Sequence, residues 1–158
     1  LNEVMCQGMK VLKFLQIPED SKPAMALMDT ADFKAEFKER ADAESIKNAV
    51  DELLSQDCIM LTKISKKKKK NRFGKFEEVE TESTVDIKPF IYKLEPIENG
   101  VFMNLSQGSL NNVKPIFVMD FLAKTGLINA EKNGYYLYRL DMYTEEGKAL
   151  DEYGWEII

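Results

Sequence analysis

Apolar and charged residues alternate between positions 31 and 39, where Phe33, Ala35 and Phe37 occupy every second position. Successive side chains of a strand point to opposite faces of a sheet, so this period predicts a half-buried antiparallel strand with one face in water. The spacing then changes to that of a helix. Asp42 is a candidate N-cap, and the apolar residues up to about position 55 fall on one side of the helix. These residues are Ile46, Ala49, Val50, Leu53 and Leu54.

Another apolar run, Cys58–Ser65, predicts a strand, so residues 31–65 are expected to form a strand–helix–strand unit. A second unit is predicted over residues 85–143. Phe90–Glu95 and Val101–Ser106 indicate a hairpin around Glu98-Asn99-Gly100, because Asn-Gly favours the positive φ of a tight turn. Pro115 suits the first position of a helix that ends at Gly126. The apolar residues of this helix are Phe117, Val118, Phe121 and Leu122, and residues 135–143 form the closing strand.

Two such units predict an α+β fold, a ferredoxin-like sandwich with helices on one face of a mainly antiparallel sheet. At 158 residues the chain suits a single domain. Residues 1–30 are interpreted as a lead-in with a strand over 9–17 and a turn, and residues 66–84 as a charged loop or hairpin. Residues 144–158 are a tail with a possible short helix, in which Trp155, Ile157 and Ile158 dock on the body or form a contact surface. The chain starts with Leu1 and a segment typical of the end of a helix, so we expect a fragment of a longer protein.

The composition weakens an enzymatic interpretation. The chain has no histidine, the commonest general base and metal ligand. It has no phosphate-binding Gly-x-x-x-x-Gly-Lys loop, no nucleophile elbow and no cysteine cluster, so no cofactor and no metal are predicted. Cys58 is interpreted as a buried structural thiol. Without a long apolar run or a signal peptide, the sequence predicts a cytoplasmic protein that does not insert into a membrane.

The segment 66–75 is strongly basic, with positive charges at Lys66, Lys67, Lys68, Lys69, Lys70, Arg72 and Lys75. Such a run can bind nucleic acid through phosphate contacts, with Phe73 and Phe76 stacking on bases. The alternative is a solvated, mobile tip, with flanks 59–65 and 76–82 pairing as strands. The formal net charge of the chain is −5, so the remainder is acidic and would repel a polyanion.

The segment 106–115 suggests an anion site, because a glycine and a serine before a helix leave backbone amides at the positive end of its dipole. The candidate residues are Gly108, Ser109, Asn111, Asn112 and Lys114. The alternative is that Ser, Asn and Pro simply cap the helix.

Two further motifs each have two interpretations. Asp86, beside Lys88 and Pro89, is either a carboxylate for acid–base chemistry or part of a turn or salt bridge. No second acid or histidine nearby supports catalysis, so no catalytic residue is assigned. The ladder of Tyr136, Tyr138, Leu140 and Met142 has the period of a strand and is more typical of a core. The alternative is a row of stacking rings on an open sheet face.

The basic run, Val85–Pro89, Gly108–Pro115 and Arg139–Tyr143 together resemble the bacterial radical-SAM-linked protein family, a domain of unknown function, from Leu1 to about Tyr143. The resemblance implies an accessory or RNA-related role beside a radical S-adenosylmethionine enzyme. It also implies that an N-terminal half is missing here. Asp86, Lys88, Pro89 and residues of the 108–115 segment are carried over as motif positions only. This chain departs from the family pattern in its longer lysine run.

Three functional hypotheses follow. The first is a non-enzymatic binding module that contacts RNA or a radical SAM partner through the lysine run and the 106–115 helix start. The second is a subunit of an RNA-modifying enzyme that uses Asp86 and Lys88 at a site shared with the missing half. The third is a structural oligomerisation domain, although the sequence does not indicate the oligomeric state.

Overall fold

The computed structural model describes residues 2–70, 76–108, 111–128 and 134–156, and for 65–70 and 76–79 it describes the backbone alone. Eleven helices and strands follow one another along these segments, together with three short 3₁₀ turns. They are β1 (Leu15–Gln16), α1 (Ala24–Leu27), β2 (Met28–Phe37), α2 (Ala43–Ser55), β3 (Met60–Lys70), β4 (Phe76–Asp86), β5 (Ile91–Ile97), β6 (Gly100–Ser106), α3 (Pro115–Lys124), β7 (Tyr135–Thr144) and β8 (Trp155–Glu156).

The main sheet has four antiparallel strands in the order β5-β6-β2-β7, and α2 packs against β5 and α3. The α+β class is therefore confirmed, and this strand order is compatible with a ferredoxin-like sandwich. Alternate residues of β2, from Ala31 to Phe37, are buried in the core together with the apolar sides of the two longer helices, α2 and α3. The alternation thus buries one face of β2, as its sequence predicts. None of the described helices is long and apolar enough to span a membrane.

The prediction for the first unit was wrong in one respect, since the strand after α2 does not join the main sheet. β3 pairs with β4 in a separate hairpin, and β5 is the next strand of the main sheet. The two flanks of the lysine run belong to paired strands, as predicted, but residues 76–82 lie opposite residues 64–70, so only Ile64 and Ser65 of the predicted flank 59–65 face them. The run itself is not a loop, however, because Lys66–Lys70 continue β3, with Lys70 opposite Phe76. Cys58 is exposed just before β3, which contradicts its interpretation as a buried thiol.

The β5–β6 hairpin is confirmed, but the reason offered for its Asn-Gly pair was wrong. No described residue other than glycine has a positive φ, so Asn99 does not adopt that geometry. Instead its amide donates to Phe37 O at 2.8 Å and its Oδ1 accepts from Ala41 N at 2.9 Å. Gly100 is required by close packing, since a Cβ there would overlap the carbonyl oxygen of Ala35 in β2. Both residues tie the hairpin to the neighbouring strand.

Both helix predictions are confirmed at their ends. The Asp42 side chain accepts a hydrogen bond from Ser45 N at 2.8 Å, and Pro115 begins α3. Gly126 follows α3 with a φ of 75°. At the termini, the predicted strand over 9–17 shrinks to β1, which pairs with β8. The tail contains one 3₁₀ turn at Leu150–Glu152, while Ile157 and Ile158 lie outside the described residues.

Candidate nucleic-acid interface

The face of the main sheet opposite the two helices carries charged, polar and aromatic side chains. On β2, alternation places Asp32, Lys34 and Glu36 on this face, and all three are half-buried. Register adds Phe102 and Asn104 of β6, opposite Lys34 and Asp32 respectively. We call this surface the open face. It consists of Asp32, Lys34, Glu36, Lys93, Glu95, Phe102, Asn104, Tyr136, Tyr138 and Tyr143.

Two tyrosines of the edge strand β7 project from the open face. Tyr136 is 54% exposed and Tyr138 is 45% exposed, and their ring centroids lie 6.4 Å apart at an interplanar angle of 46°. This corrects the favoured interpretation of the ladder as core. Leu140 is also exposed, at an irregularity of register opposite β2, and only Met142 packs against the core. The stacking-ring alternative agrees with the observed exposure.

A lysine ammonium lies near each of three rings. Lys34 Nζ is 5.9 Å from the centroid of Tyr138, Lys38 Nζ is 5.1 Å from that of Tyr136, and Lys93 Nζ is 5.3 Å from that of Phe102. Such distances are within the range of cation–π attraction. The same arrangement would place positive charge beside any base that stacks on a ring.

Acidic neighbours balance part of this positive charge. Lys34 forms an ion pair with Glu36 at 2.7 Å, and Lys93 forms one with Glu95 at 2.9 Å. The hydrogen bond from Lys34 to Glu36 raises the pKa of the Lys34 ammonium above its usual value. The open face is therefore aromatic and mixed in charge rather than uniformly basic.

Asp32 connects three strands of the open face through its carboxylate. Its Oδ1 accepts from Asn104 Nδ2 at 2.6 Å and its Oδ2 accepts from the Tyr143 hydroxyl at 2.8 Å. The hydrogen bond to Asp32 raises the pKa of Tyr143 to about 12. Since the carboxylate is occupied by neutral donors, its main effect is to hold Tyr143 and Asn104 in place.

The Val85–Pro89 motif has structural partners. Asp86 Oδ1 accepts from the backbone amides of Ile59 at 2.8 Å and Lys88 at 3.0 Å. The Lys88 ammonium donates to the carbonyls of Leu54 and Gln56 at the end of α2, where the helix dipole favours a cation. Pro89 lies in the 3₁₀ turn that follows the β3–β4 hairpin. These contacts are those of the turn interpretation, and no described partner equips Asp86 for acid–base chemistry.

The predicted anion site is divided by the structure. Gly108 and Asn111 line a cavity at one end of the main sheet, while Asn112 and Lys114 are exposed outside its lining. Lys114 is the N-cap of α3 without a capping side-chain bond. Ser109 lies outside the described residues, and anion binding stays a prediction.

The lysine run faces an acidic strand. The register of β3 with β4 places Lys66 opposite Glu80, Lys68 opposite Glu78 and Lys69 opposite Glu77. Opposite charges at paired positions stabilise a hairpin, so the sequence of the run has a structural explanation. Arg72 and Lys75 lie outside the described residues. RNA contact through this run stays a prediction.

Sequence reasoning missed several residues of the open face. Lys34 lies in the alternating β2 segment and Phe102 in the β6 half of the hairpin, and the sequence predicts each of them only as part of a strand. The polar residues that alternate with the buried apolar residues of β2 were the sequence signal that could have identified this face. Among the described residues, no group of acidic or cysteine side chains is placed to hold a metal ion.

Comparison with known proteins gives a match to a family model. No curated protein and no solved structure matches the chain. A family model described as an uncharacterized protein conserved in bacteria, DUF2344, matches residues 1–115. The match covers strands β1 to β6 with helices α1 and α2 and ends at Pro115, the first residue of α3. It does not reach the tyrosines of β7. The chain therefore belongs to the DUF2344 family of bacterial proteins.

Proposed function

We propose that this chain is a non-enzymatic accessory module that binds single-stranded RNA on the open face. One observation carries the proposal: two exposed tyrosine rings project from an antiparallel sheet with lysine ammonium groups beside them. Single-stranded RNA has unstacked bases that stack on aromatic side chains, and an open sheet presents such rings at a suitable spacing.

The energetics favour stacking as the main contribution. A base stacked on an aromatic ring contributes about 1–3 kcal/mol, as measured by alanine substitution. Phosphate contacts add less here, because Lys34 and Lys93 each have an acidic partner. The net charge of −5 also opposes a polyanion. We therefore expect weak to moderate affinity, little sequence preference and a shallow salt dependence.

Fluorescence anisotropy with short single-stranded RNAs of mixed sequence tests the proposal. Tyr138→Ala is expected to weaken binding about tenfold, which corresponds to the loss of one stacked base. Trp155→Ala is the matched control, since it removes a similarly exposed ring, 53% accessible, from β8 outside the main sheet. Equal affinities of the native chain and Tyr138→Ala, or an equal loss in Trp155→Ala, would remove the open face as the binding surface.

We propose a separate electrostatic contribution from the lysine run, which is one of the two interpretations that its sequence leaves open. Replacing Lys66–Lys70 by glutamine tests it in the same assay. If the run contacts phosphates, the variant loses affinity at low salt and the slope of log K against log salt becomes shallower by roughly 0.7 for each lost contact with a single strand. Lys47→Gln, an exposed lysine of α2, controls for charge alone. An unchanged slope would leave the run with its structural role in the hairpin.

We also propose a radical S-adenosylmethionine enzyme as the protein partner, in the cytoplasm, on the basis of the resemblance to radical-SAM-linked proteins. A pull-down with the full-length protein as bait and a radical S-adenosylmethionine enzyme of the same bacterium as prey tests this partner. Recovery with the native protein and with Tyr138→Ala would show that enzyme binding and RNA binding use different surfaces. Failure to recover the enzyme with full-length protein contradicts the partner but leaves the RNA proposal to its own assay.

A further inference from the structure

One edge of the main sheet is open to another strand. In the order β5-β6-β2-β7, β7 pairs with β2 on one side, and no strand pairs with its other side in the parts of the chain that the structure describes. The turn after β7 reaches that side only at the end of the strand, where Ala149 forms a bridge with Tyr143. Along the first half of β7, outward-pointing backbone amides and carbonyls can therefore extend the sheet.

This open stretch has a definite beginning and end. Gly134, with a φ of 56°, precedes it, and an irregularity of register follows it, where Leu140 has no residue of β2 opposite. We call residues 135–139, which lie between these two points, the free edge. Its side chains alternate regularly. Tyr136 and Tyr138 lie on the open face, and Tyr135, Leu137 and Arg139 lie on the side of the helices.

The free edge lacks the features that usually protect an edge strand. Natural proteins discourage pairing at a sheet edge with proline and with charged side chains. The opposite edge, β5, contains Pro96 together with Lys93 and Glu95. The free edge has no proline and one charged residue, Arg139, while Leu137 is 42% exposed between two exposed tyrosines. Its composition therefore favours pairing with a further strand.

We propose that the free edge pairs antiparallel with the free edge of a second copy of this chain, about a two-fold axis at Leu137. In this register Leu137 lies opposite Leu137 of the second copy. Tyr136 lies opposite Tyr138, and Tyr135 opposite Arg139, on both sides of the axis. Aromatic and aliphatic cross-strand pairs stabilise a sheet, and a guanidinium is attracted to a tyrosine ring. The pairing joins two open faces into one surface with four exposed tyrosines.

A second copy fits because the free edge is complementary to itself. Within one sheet the open faces of both copies must lie on the same side, so the axis passes through a residue and not between two residues. An axis at Arg139 would place two arginines opposite each other. An axis at Tyr138 would bring the irregular residue Leu140 into the ladder. The axis at Leu137 avoids both, and such an isologous contact closes at two chains.

Sedimentation velocity of the native chain without RNA tests the dimer. The paired segment is short, so the contact is smaller than the roughly 1,200–2,000 Å² of a stable interface, and the dimer should be weak. We expect the mass to rise from one chain to two with a dissociation constant of roughly 1 µM to 1 mM. A single-chain mass up to about 1 mM would overturn the proposal. Because RNA is absent, this result is independent of the proposed function.

Leu137→Lys locates the contact. It places two ammonium groups opposite each other at the axis, whereas a single chain tolerates lysine at this exposed position. The variant is expected to weaken the dimer at least about tenfold while its circular dichroism stays native. Leu54→Lys is the matched control, since Leu54 is 40% exposed on α2 and the charge change is the same. An unchanged dimer in Leu137→Lys, or an equal loss in Leu54→Lys, would refute the role of the free edge.

Disulfide formation tests the register independently. Directly opposite residues of an antiparallel pair have Cα atoms about 4.5–5.5 Å apart, which is within reach of a disulfide. The exposed Cys6 and Cys58 are first replaced by serine. Under mild oxidation Leu137→Cys should then link two chains, and Tyr138→Cys should not, because Tyr138 lies opposite Tyr136 of the second copy. Any other pattern of linkage would overturn the proposal.

Discussion

Replacing Asp86 by alanine distinguishes a structural motif from a catalytic one. Its Oδ1 accepts two backbone amides, from Ile59 before β3 and Lys88 after β4, and so closes the base of the hairpin. Ile59 and Ile87, which meet there through a backbone hydrogen bond of 2.9 Å, are each only 1% exposed. Removing the carboxylate therefore leaves the Ile59 amide unpaired in a buried setting.

The expected loss of stability follows from these two contacts. A hydrogen bond to a charged acceptor contributes about 1.5–3 kcal/mol, and the half-buried Lys88 amide recovers part of its bond from water, so Asp86→Ala should lose roughly 2–4 kcal/mol. For a chain of this size each kcal/mol lowers Tm by about 2–4 °C, which places the expected decrease at roughly 6–12 °C for a loss near 3 kcal/mol. Asp86→Asn keeps an acceptor oxygen and should lose about half as much.

Urea denaturation followed by circular dichroism measures the free energy of unfolding. Asp57→Ala, an exposed aspartate close to the hairpin, is the control and should stay within about 0.5 kcal/mol of the native chain. A loss below about 0.5 kcal/mol for Asp86→Ala, in a folded protein, would refute the structural role. Asp86 and Lys88 would then again be candidates for the active site that the second hypothesis places between this chain and the missing half.

Three further predictions follow from the fold. Gly100→Ala should lose at least about 3 kcal/mol or fail to fold, because the added methyl overlaps the Ala35 carbonyl; a stability within 1 kcal/mol in urea denaturation would contradict that packing. Leu53→Ala, at a fully buried position of α2, should lose about 2–5 kcal/mol in the same measurement, and a smaller loss would argue against the packing of α2 on the sheet. The phenol of Tyr143 should titrate near pH 12. The stability that its hydrogen bond to Asp32 contributes should be complete below pH 10 and should be lost as the pH rises to 12. In an absorbance titration read against Tyr143→Phe, Asp32→Asn should move the transition toward pH 10, and no movement would exclude Asp32 as the cause of the raised pKa.

Local structure could be predicted from the sequence because its causes are local. The alternation in β2, the helical spacing in α2 and the cap at Asp42 each depend on residues within a few positions of one another. Pro115 and Gly126 mark the ends of the second helix for the same reason. These signals decide whether a segment is a helix or a strand without reference to the remainder of the chain.

Strand pairing could not be predicted in this way. The run Cys58–Ser65 has the composition of a strand, and that composition suits the main sheet and a separate hairpin equally well. Its partner is decided by β4, whose acidic residues stand opposite the lysines, and by Asp86, which closes the base of the hairpin. The role of Asn99 was likewise hidden, since its amide reaches Phe37 and Ala41, about 60 residues earlier in the chain.

The open face shows the same limit at the level of function. A strand of alternating tyrosines is buried or exposed according to its place in the sheet, and β7 is an edge strand whose Leu137, on the opposite face from Tyr138, is itself 42% exposed. The sequence therefore predicted a strand of alternating tyrosines but favoured a buried position for their side chains. Lys34 comes beside Tyr138 only through the register of β2 with β7, which joins residues about 100 positions apart. The charges and rings of the open face lie on strands that are far apart in the sequence. Because only strand register brings them together, no local sequence pattern marks this surface.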